Sequence, residues 1–433
     1  MLKPDYTSKF KKDYSRAIKR NYDISLLDAA IVMKITIPDN VQAILSVLES
    51  AGYEAFIVGG CVRDGIRGVK PTDWDVATSA TPGEVRALFS RTVDTGIKHG
   101  TITVLIGGDC CEVTTYRLDG EYLDGRRPES VTFARRIEDD LSRRDFTMNA
   151  IAYNSQRGFV DPFGGREDIE KKLIRCVGEA QSRFGEDALR MLRAVRFSSM
   201  LGFSVDAVAL EAITKLKKNL ALISAERIRE ELGKLLTGAE PQAAKLLETT
   251  GLLPYVLMGR EYGGNLSDVL TKIQACPTDE PMRLTLFLEW AGADCESILK
   301  DLRFDNKTIK EVAQYIRLLR EPLPHDRYDL KKLLRQLTQE YFEKLLNLKI
   351  IAGAESQDVN FVRREAQDII TNGECYTLRG LAVNGDDLAQ IGIPRGKTMG
   401  DTLEFLLDTV MRDPLLNQKP LLLSLIKEKT NEI

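Results

Sequence analysis

The sequence predicts an α+β fold, with a small mixed-sheet head followed by a long, wholly helical remainder. Three observations predict it. Short strand-like runs alternate with short helical runs only as far as about residue 165. From Arg166 onward the strand signal vanishes, and apolar residues recur at helical spacing between glycine and proline breaks. The chain has 433 residues, too many for one core, so two to four compact units are expected.

Residues 1–39 mix lysine, tyrosine and aspartate without clear periodicity and read as an N-terminal extension. Val41, Ile44, Leu45 and Leu48 fall on one face of a helix over 40–51, which Gly52 stops. Residues 55–58 read as a buried strand, 60–67 as a short helix and 74–77 as a second strand. Thr81 N-caps a helix over 82–89 that opens with Pro82. Strand-like runs follow at 92–95, 101–106 and 112–117. The polar segment 118–130 is long for a connection and lacks a core pattern, which predicts a mobile functional loop. A charged helix over 139–152 and a turn from Asp161 to Gly165 close the mixed unit. Beyond it, breaks are expected at Gly178, Gly202, Gly238, Pro254, Pro277, Pro322, Pro324, Gly373, Gly392 and Pro394, with no fixed-period repeat.

Composition excludes several classes. No apolar run approaches the roughly 20 residues that span a bilayer. The N-terminus has no apolar h-region, so it does not read as a secretory signal. Seven cysteines with no CxxC pair point to a reducing cytosol and a cytoplasmic protein. The net charge of -3 gives no global sign of a nucleic-acid binder, although a local basic surface suffices for one. Only two histidines occur, His99 and His325, which argues against a His-ligated metal and against a His–Asp phosphohydrolase module. A catalytic metal is then held by oxygen, which suits Mg²⁺.

The chemistry centres on 56–78, where an apolar run meets Gly59-Gly60, Arg63-Asp64 and Asp73-Trp74-Asp75. Two aspartates two apart on a strand share a face, with Cα atoms roughly 6.5 Å apart. A bare DxD is usually a solvated pair. Glu112, at the start of a β-branched run, adds a third carboxylate, and three on adjacent strands can hold two Mg²⁺ ions about 4 Å apart. Trp74, between the aspartates, is expected to point to the opposite face and into the core. A glycine pair between strand and helix lets phosphate approach backbone N–H groups without a Cβ in the way. Arg63 follows one turn later.

Arg144 and Asp145 precede Asn149, which on a helix lies on the same face as Asp145. In 184–197, Arg190, Arg193 and Arg196 recur every third residue. They form either a solvated basic face or a rail for nucleotide or RNA. Asp187 stands three before Arg190, so the two can interlock and offer fixed acceptors and donors to the edge of a base. His99 reads as structural. Lys331, Lys332 and Arg335 form a candidate basic patch or an ordinary solvated helix face.

Taken in order, GGCVRD with DWDVAT resembles the nucleotidyltransferase motif of the DNA polymerase β superfamily, in its class II tRNA nucleotidyltransferase and poly(A) polymerase branch. RRDFTMNA and EDALRMLRAVRF resemble the next motifs, and 226–231 matches more loosely. The segment 381–396, through DPLLN at 413–417, resembles the tail of bacterial CCA-adding enzymes. The resemblance implies a polymerase-β-like head over 40–165, a neck with the nucleotide-selecting helix over 166–225, a helical body over 226–360 and a tRNA-binding tail over 361–433. It implies that Asp73 and Asp75 bind Mg²⁺ and that Glu112 completes the catalytic set. Gly60, Arg63 and Arg144 would bind the nucleotide, with Asp145 and Asn149 beside Arg144. Asp187 and Arg190 would read the base, Glu186 would orient Arg190, and Arg193 and Arg196 would line the pocket. The implied reaction adds CCA to the 3′ end of tRNA from CTP and ATP and releases pyrophosphate. An A-adding enzyme or a poly(A) polymerase of the same family is the alternative. The segment 121–128 resembles a loop that CC-only enzymes lack, which argues against CC-only addition.

Overall fold

The computed structural model describes residues 34–120, 131–292 and 294–431. The N-terminal extension through residue 33 and loop residues 121–130 lie outside the described residues. The chain forms two compact units. One runs to Glu261 and includes Asp301–Arg303; the other comprises Tyr262–Lys300 and the chain from Phe304 onward.

The first unit opens with helix α1 (Asp39–Ser50), whose Val41, Ile44, Leu45 and Leu48 are buried, as their spacing predicts. Strand β1 (Ala55–Val58) is buried at every position. It leads through Gly59 into helix α2 (Gly60–Ile66), then strand β2 (Asp75–Thr78) and helix α3 (Pro82–Leu88). The Glu84 carboxylate accepts from both the N–H and the hydroxyl of Thr81, closing a capping box at the start of α3. Strands β3 (Thr92–Gly96), β4 (Thr101–Ile106) and β5 (Asp109–Thr115) follow. Ile106 pairs with Asp109 across a two-residue turn. Gly107 and Gly108 both take positive φ there, 62° and 91°, which a two-residue hairpin of this hand requires.

The run expected at 112–117 divides into β5 and β6 (Arg117–Asp119) around the fully buried Tyr116. Strand β6 pairs with β7 (Val131–Phe133) in an antiparallel ribbon flanking the expected loop. Helix α4 (Ile137–Ser142), strands β8 (Ala152–Asn154) and β9 (Gly158–Val160) and helix α5 (Gly165–Glu170) complete the head.

Seven strands form one sheet in the order β3-β4-β5-β2-β1-β8-β9. All its pairs are antiparallel except β2 with β5. Phe56, Val58, Ala77, Ala150 and Ala152 pack with Ile137 and Leu141 of α4 to make the core of the head.

The helix expected over 139–152 stops at Ser142. From Phe146 to Tyr153 every residue is buried, so the segment has no solvent face to give an amphipathic helix. It crosses the interior as a bridge to Cys176 and a short 3₁₀ turn, Thr147–Asn149. Gly165 packs against it so closely that a Cβ would stand 2.1 Å from the Thr147 carbonyl oxygen. The Asp161 carboxylate accepts from the N–H groups of Gly165 and Arg166 at 2.7 and 2.9 Å, which sets the turn into α5.

Helices α6 (Ala180–Glu186), α7 (Leu189–Leu201), α8 (Ala207–Leu216) and α9 (Ala225–Leu236) continue the first unit. Strand structure does not vanish after Arg166. Leu173–Ile174 and Ser204–Val205 form a two-residue parallel pair. Pro254 opens a short helix, Leu253–Val256, where a break is expected, because proline suits a first turn.

The described residues of the second unit are helical, and several helices start on an aspartate, threonine or asparagine that accepts from a first-turn N–H, as Asp279, Asp305, Asp326, Thr338 and Asn384 do. Lys331 is 1% exposed and pairs with Glu374 at 2.8 Å while donating to the Met411 carbonyl at 3.1 Å. Arg335 is taken up by Glu404 through two bonds. Lys331, Lys332 and Arg335 are therefore neither a shared basic patch nor a wholly solvated helix face, since Lys331 is interior and Arg335 is paired. No described helix is long and apolar enough to cross a membrane.

Candidate active site

Asp75 and Glu112 stand in register on the parallel strands β2 and β5. Both side chains are exposed. Asp73 is not on the strand. The β1–β2 ladder ends at the pair Val58–Asp75, because Gly59 turns away into α2, so Asp73 has no partner in the ladder and lies in coil. All three carboxylates nonetheless line one cleft of about 930 Å³, with Lys70, Trp74 and Thr103. Trp74 lines this cleft, half-buried, rather than filling the core as expected. Its carbonyl accepts from the Cys111 thiol at 3.2 Å.

Although Asp75 opens onto the cleft, the protein crowding its carboxyl partly desolvates it and raises it above its usual value. Arg144 opposes the rise, and Glu112 and Asp73 add to it. Cys61 and Cys111 beneath the site are buried, which pushes their thiols up to about 11 and about 12, so neither serves as a nucleophile. Among the described residues no three His, Cys, Asp or Glu side chains gather into a ready metal cage. The donor set fits a hard divalent cation all the same: three carboxylates on one cleft, repelling one another, are what such an ion neutralises.

Gly59, rather than Gly60, carries the positive φ, 75°, and a Cβ there would stand 2.9 Å from the Arg144 guanidinium. Arg63 is buried and engaged. It forks onto Asp64 at 3.0 and 2.8 Å and donates to Asn149 Oδ1 at 2.8 Å. Arg144 is held by Asp140 at 3.2 Å and donates to the Asn149 carbonyl at 3.4 Å. Asp140 is fully buried and pairs with Arg143 as well. Burial alone would raise its carboxyl, but Arg144 and Arg143 outweigh that and hold it below its usual value.

The arginines of α7 are not a solvated face, since each has a carboxylate. Arg190 pairs with Glu186 at 2.6 Å, Arg193 with Asp145 at 2.6 Å and Arg196 with Glu231 at 2.6 Å. Burial would raise Asp145, but Arg193 and Arg190 and the Phe146 N–H bring it down to about 2. Asn149 Nδ2 reaches Asp145 Oδ1 at 3.3 Å, so the two meet as expected, though across a turn rather than along a helix.

The Asp187–Arg190 side-chain pair does not form. Asp187 lies between α6 and α7 in extended backbone, not within one helix, and its carboxylate accepts from Leu189 N–H at 3.1 Å. Arg227 of α9 grips the same carboxylate through two bonds, at 3.1 and 2.6 Å. His99 sits in a 3₁₀ turn, where its carbonyl accepts from Arg117.

Several participants carry no local signal. Asp140, Arg227 and Glu231 read as ordinary charges on helices, and only the fold brings them to Arg144, Asp187 and Arg196. Phe197 is another. The guanidinium carbons of Arg196, Arg63 and Arg193 lie 3.8, 5.3 and 5.3 Å from its ring centre, so one phenylalanine gathers arginines from α2 and α7. Arg227 and Glu231 fall within 226–231, whose loose resemblance to the family is the hint that the sequence offers for them.

Residues 55–175 match the family model of the poly A polymerase head domain, and residues 281–426 match that of the second domain of tRNA nucleotidyltransferases. The CCA-adding enzyme of Geobacillus thermodenitrificans is 41% identical over 396 residues, covering 89% of this chain and 96% of that one. The CCA-adding enzyme of Leuconostoc mesenteroides is 37% identical, covering 92% and 100%. The crystal structure of the Bacillus stearothermophilus CCA-adding enzyme in complex with CTP has a TM-score of 0.76 at 33% identity, covering 92% of this chain and 100% of that one. Enzymes of this kind generally use a divalent metal. With similarity running through almost the whole of both chains, head and helical units alike, the chain belongs to the CCA-adding enzyme family of tRNA nucleotidyltransferases.

Proposed function

We propose that this chain rebuilds the 3′ end of tRNA, adding C, C and A in turn from CTP and ATP without a nucleic-acid template. The observation that carries the reading is Asp75 in register with Glu112, on the cleft that Asp73 shares, in a chain similar along its length to CCA-adding enzymes. The tRNA 3′-hydroxyl attacks the α-phosphate, and pyrophosphate leaves. Asp73 and Asp75 would hold Mg²⁺, with Glu112 completing the carboxylate set, and the bound metal would supply positive charge to the transferring phosphoryl group.

The chain's own residues position the reactants. Gly60 and Arg63 at the β1–α2 corner, and Arg144 packed on Gly59, face the triphosphate. Arg144 has its direction set by Asp140 and the Asn149 carbonyl, so its charge is oriented before the nucleotide arrives. Asp187 and Arg190 select the base. The carboxylate accepts from the exocyclic amine that cytosine and adenine share, and the guanidinium donates to their acceptor atoms. Arg193 and Arg196 line the pocket, their charge balanced by Asp145 and Glu231. In this reading 40–165 is the catalytic head, 166–225 the neck, 226–360 the body and 361–433 the tail that grips tRNA, and the protein works in the cytoplasm.

The test is nucleotide incorporation on three tRNAs, ending before CCA, after the first C and after CC. The expected result is completion of all three with both nucleotides. Extension of only the CC-ending tRNA would make this an A-adding enzyme, and long adenylate tails on generic RNA would make it a poly(A) polymerase.

A further inference from the structure

Glu186 is shared by two arginines. Its Oε2 pairs with Arg190 at 2.6 Å, and its Oε1 pairs with Arg183 Nη2 at 2.8 Å. Arg183 stands one turn before Glu186 on α6, and Arg190 one turn after it, at the start of α7. All three side chains are largely buried, so the pairs are little screened by water.

Both arginines also reach the C-terminal end of α4. Arg183 Nη1 donates to the Ser142 carbonyl at 3.2 Å, and Arg190 Nη2 donates to the Arg143 carbonyl at 3.2 Å. A third contact closes the group, since Arg190 Nη1 also reaches the Arg183 carbonyl at 3.2 Å. The chain after those carbonyls is Arg144 and Asp145. The group thus ties the arginine proposed to read the base to the segment proposed to hold the triphosphate.

A carboxylate carrying one arginine can swing about its side-chain torsions. A carboxylate held from both sides cannot, without breaking a charge-assisted bond. We propose that Arg183 is a positioning residue for nucleotide choice: it fixes Glu186, and through Glu186 it fixes the guanidinium of Arg190. Its ion pair goes to Glu186 and its donated bond to a backbone carbonyl, and it does not line the acidic cleft, so its loss shows in selectivity before it shows in rate.

The inference rests on Arg190 reading the base, and the experiment separates the two. Selectivity is the ratio of AMP to CMP incorporation on CC-ending tRNA, with kcat and KM measured for each nucleotide. Arg190→Ala relaxes this ratio if Arg190 reads the base. Arg183→Gln is expected to lower it about tenfold, equivalent to ~1.4 kcal/mol, with kcat for the correct nucleotide within about threefold of the parent. Arg183→Lys, which keeps a cation beside Glu186, is expected to stay within about twofold of the parent ratio. In a Glu186→Gln background, Arg183→Gln is expected to change the ratio by less than about twofold, because the two act in one chain of contacts.

An unchanged ratio in Arg183→Gln, with Arg190→Ala relaxed, overturns the role of Arg183 alone. An unchanged ratio in Arg190→Ala overturns the base-reading assignment itself. Additive losses in the Glu186→Gln background also overturn the proposal. If Arg183→Gln does not fold, Arg183→Lys carries the test, and a ratio as relaxed as that of Arg190→Ala counts against it.

Discussion

At the site, single charges are held where their environment makes them costly, and their partners decide what they can do. Asp75 carries a carboxylate beside Glu112 and Asp73, relieved mainly by Arg144. Replacing Asp73 or Asp75 by alanine should reduce nucleotide incorporation to background while tRNA affinity stays within about twofold, since neither side chain lies on the helical units proposed to grip tRNA; a gel-shift titration beside the incorporation assay checks both. Asp145 behaves differently. Its carboxyl falls from 3.8 to about 2 on folding, chiefly because Arg193 outweighs the effect of burial. A depressed carboxylate stabilises the fold fully above its unfolded value, and that stabilisation is lost as pH falls through the folded one. Between pH 4 and pH 2, thermal unfolding of the parent should therefore lose roughly 2 kcal/mol that Asp145→Asn has already lost at neutral pH. The acidic and basic residues of both motifs were legible because each is a local pattern. Their partners were not. Arg227 lies 40 positions from Asp187, and no periodicity connects them.

Among the elements, the strands and short helices of the head follow their sequence patterns closely, and the exceptions have a common cause. The segment 146–153 is buried on all sides, so its apolar residues mimic the spacing of a helix without forming one. The stretch 184–197 carries helical spacing throughout, yet it divides at Asp187, whose side chain accepts from Leu189 N–H and is drawn to α9 by Arg227. In both places tertiary contacts overrule local propensity. Gly165 shows how tightly the first of these is packed. A methyl group there would collide with the backbone of Thr147, which supports Asn149 and hence Arg63 and Arg144. Gly165→Ala should lower the unfolding free energy by at least ~2 kcal/mol and raise KM for both nucleotides alike, measured by denaturant titration and steady-state kinetics.

For the whole molecule, the alternation of strand and helix up to residue 165, and its loss afterwards, was enough to separate a sheet-containing head from helical units. The roles of the helical residues were less accessible, because a charge on a helix looks the same whether it faces water or a buried partner. Lys331 illustrates the point: it reads as part of a basic patch and lies instead in the interior, paired with Glu374. Lys331→Met should cost about 2 kcal/mol of stability by leaving Glu374 with fewer partners, while the tRNA affinity of the folded protein is unchanged; thermal unfolding and filter binding separate the two effects. The turn at Gly107–Gly108 has a different kind of importance. It allows two residues between β4 and β5, and that count places Glu112 level with Asp75 rather than one position along. Side chains alternate between faces along a strand, so a single inserted residue that slides β5 would send Glu112 to the far side of the sheet without altering any acidic residue. Insertions and deletions at this hairpin are therefore as informative about activity as substitutions in the motifs, and a homologue with intact aspartates but a longer turn need not keep the same chemistry.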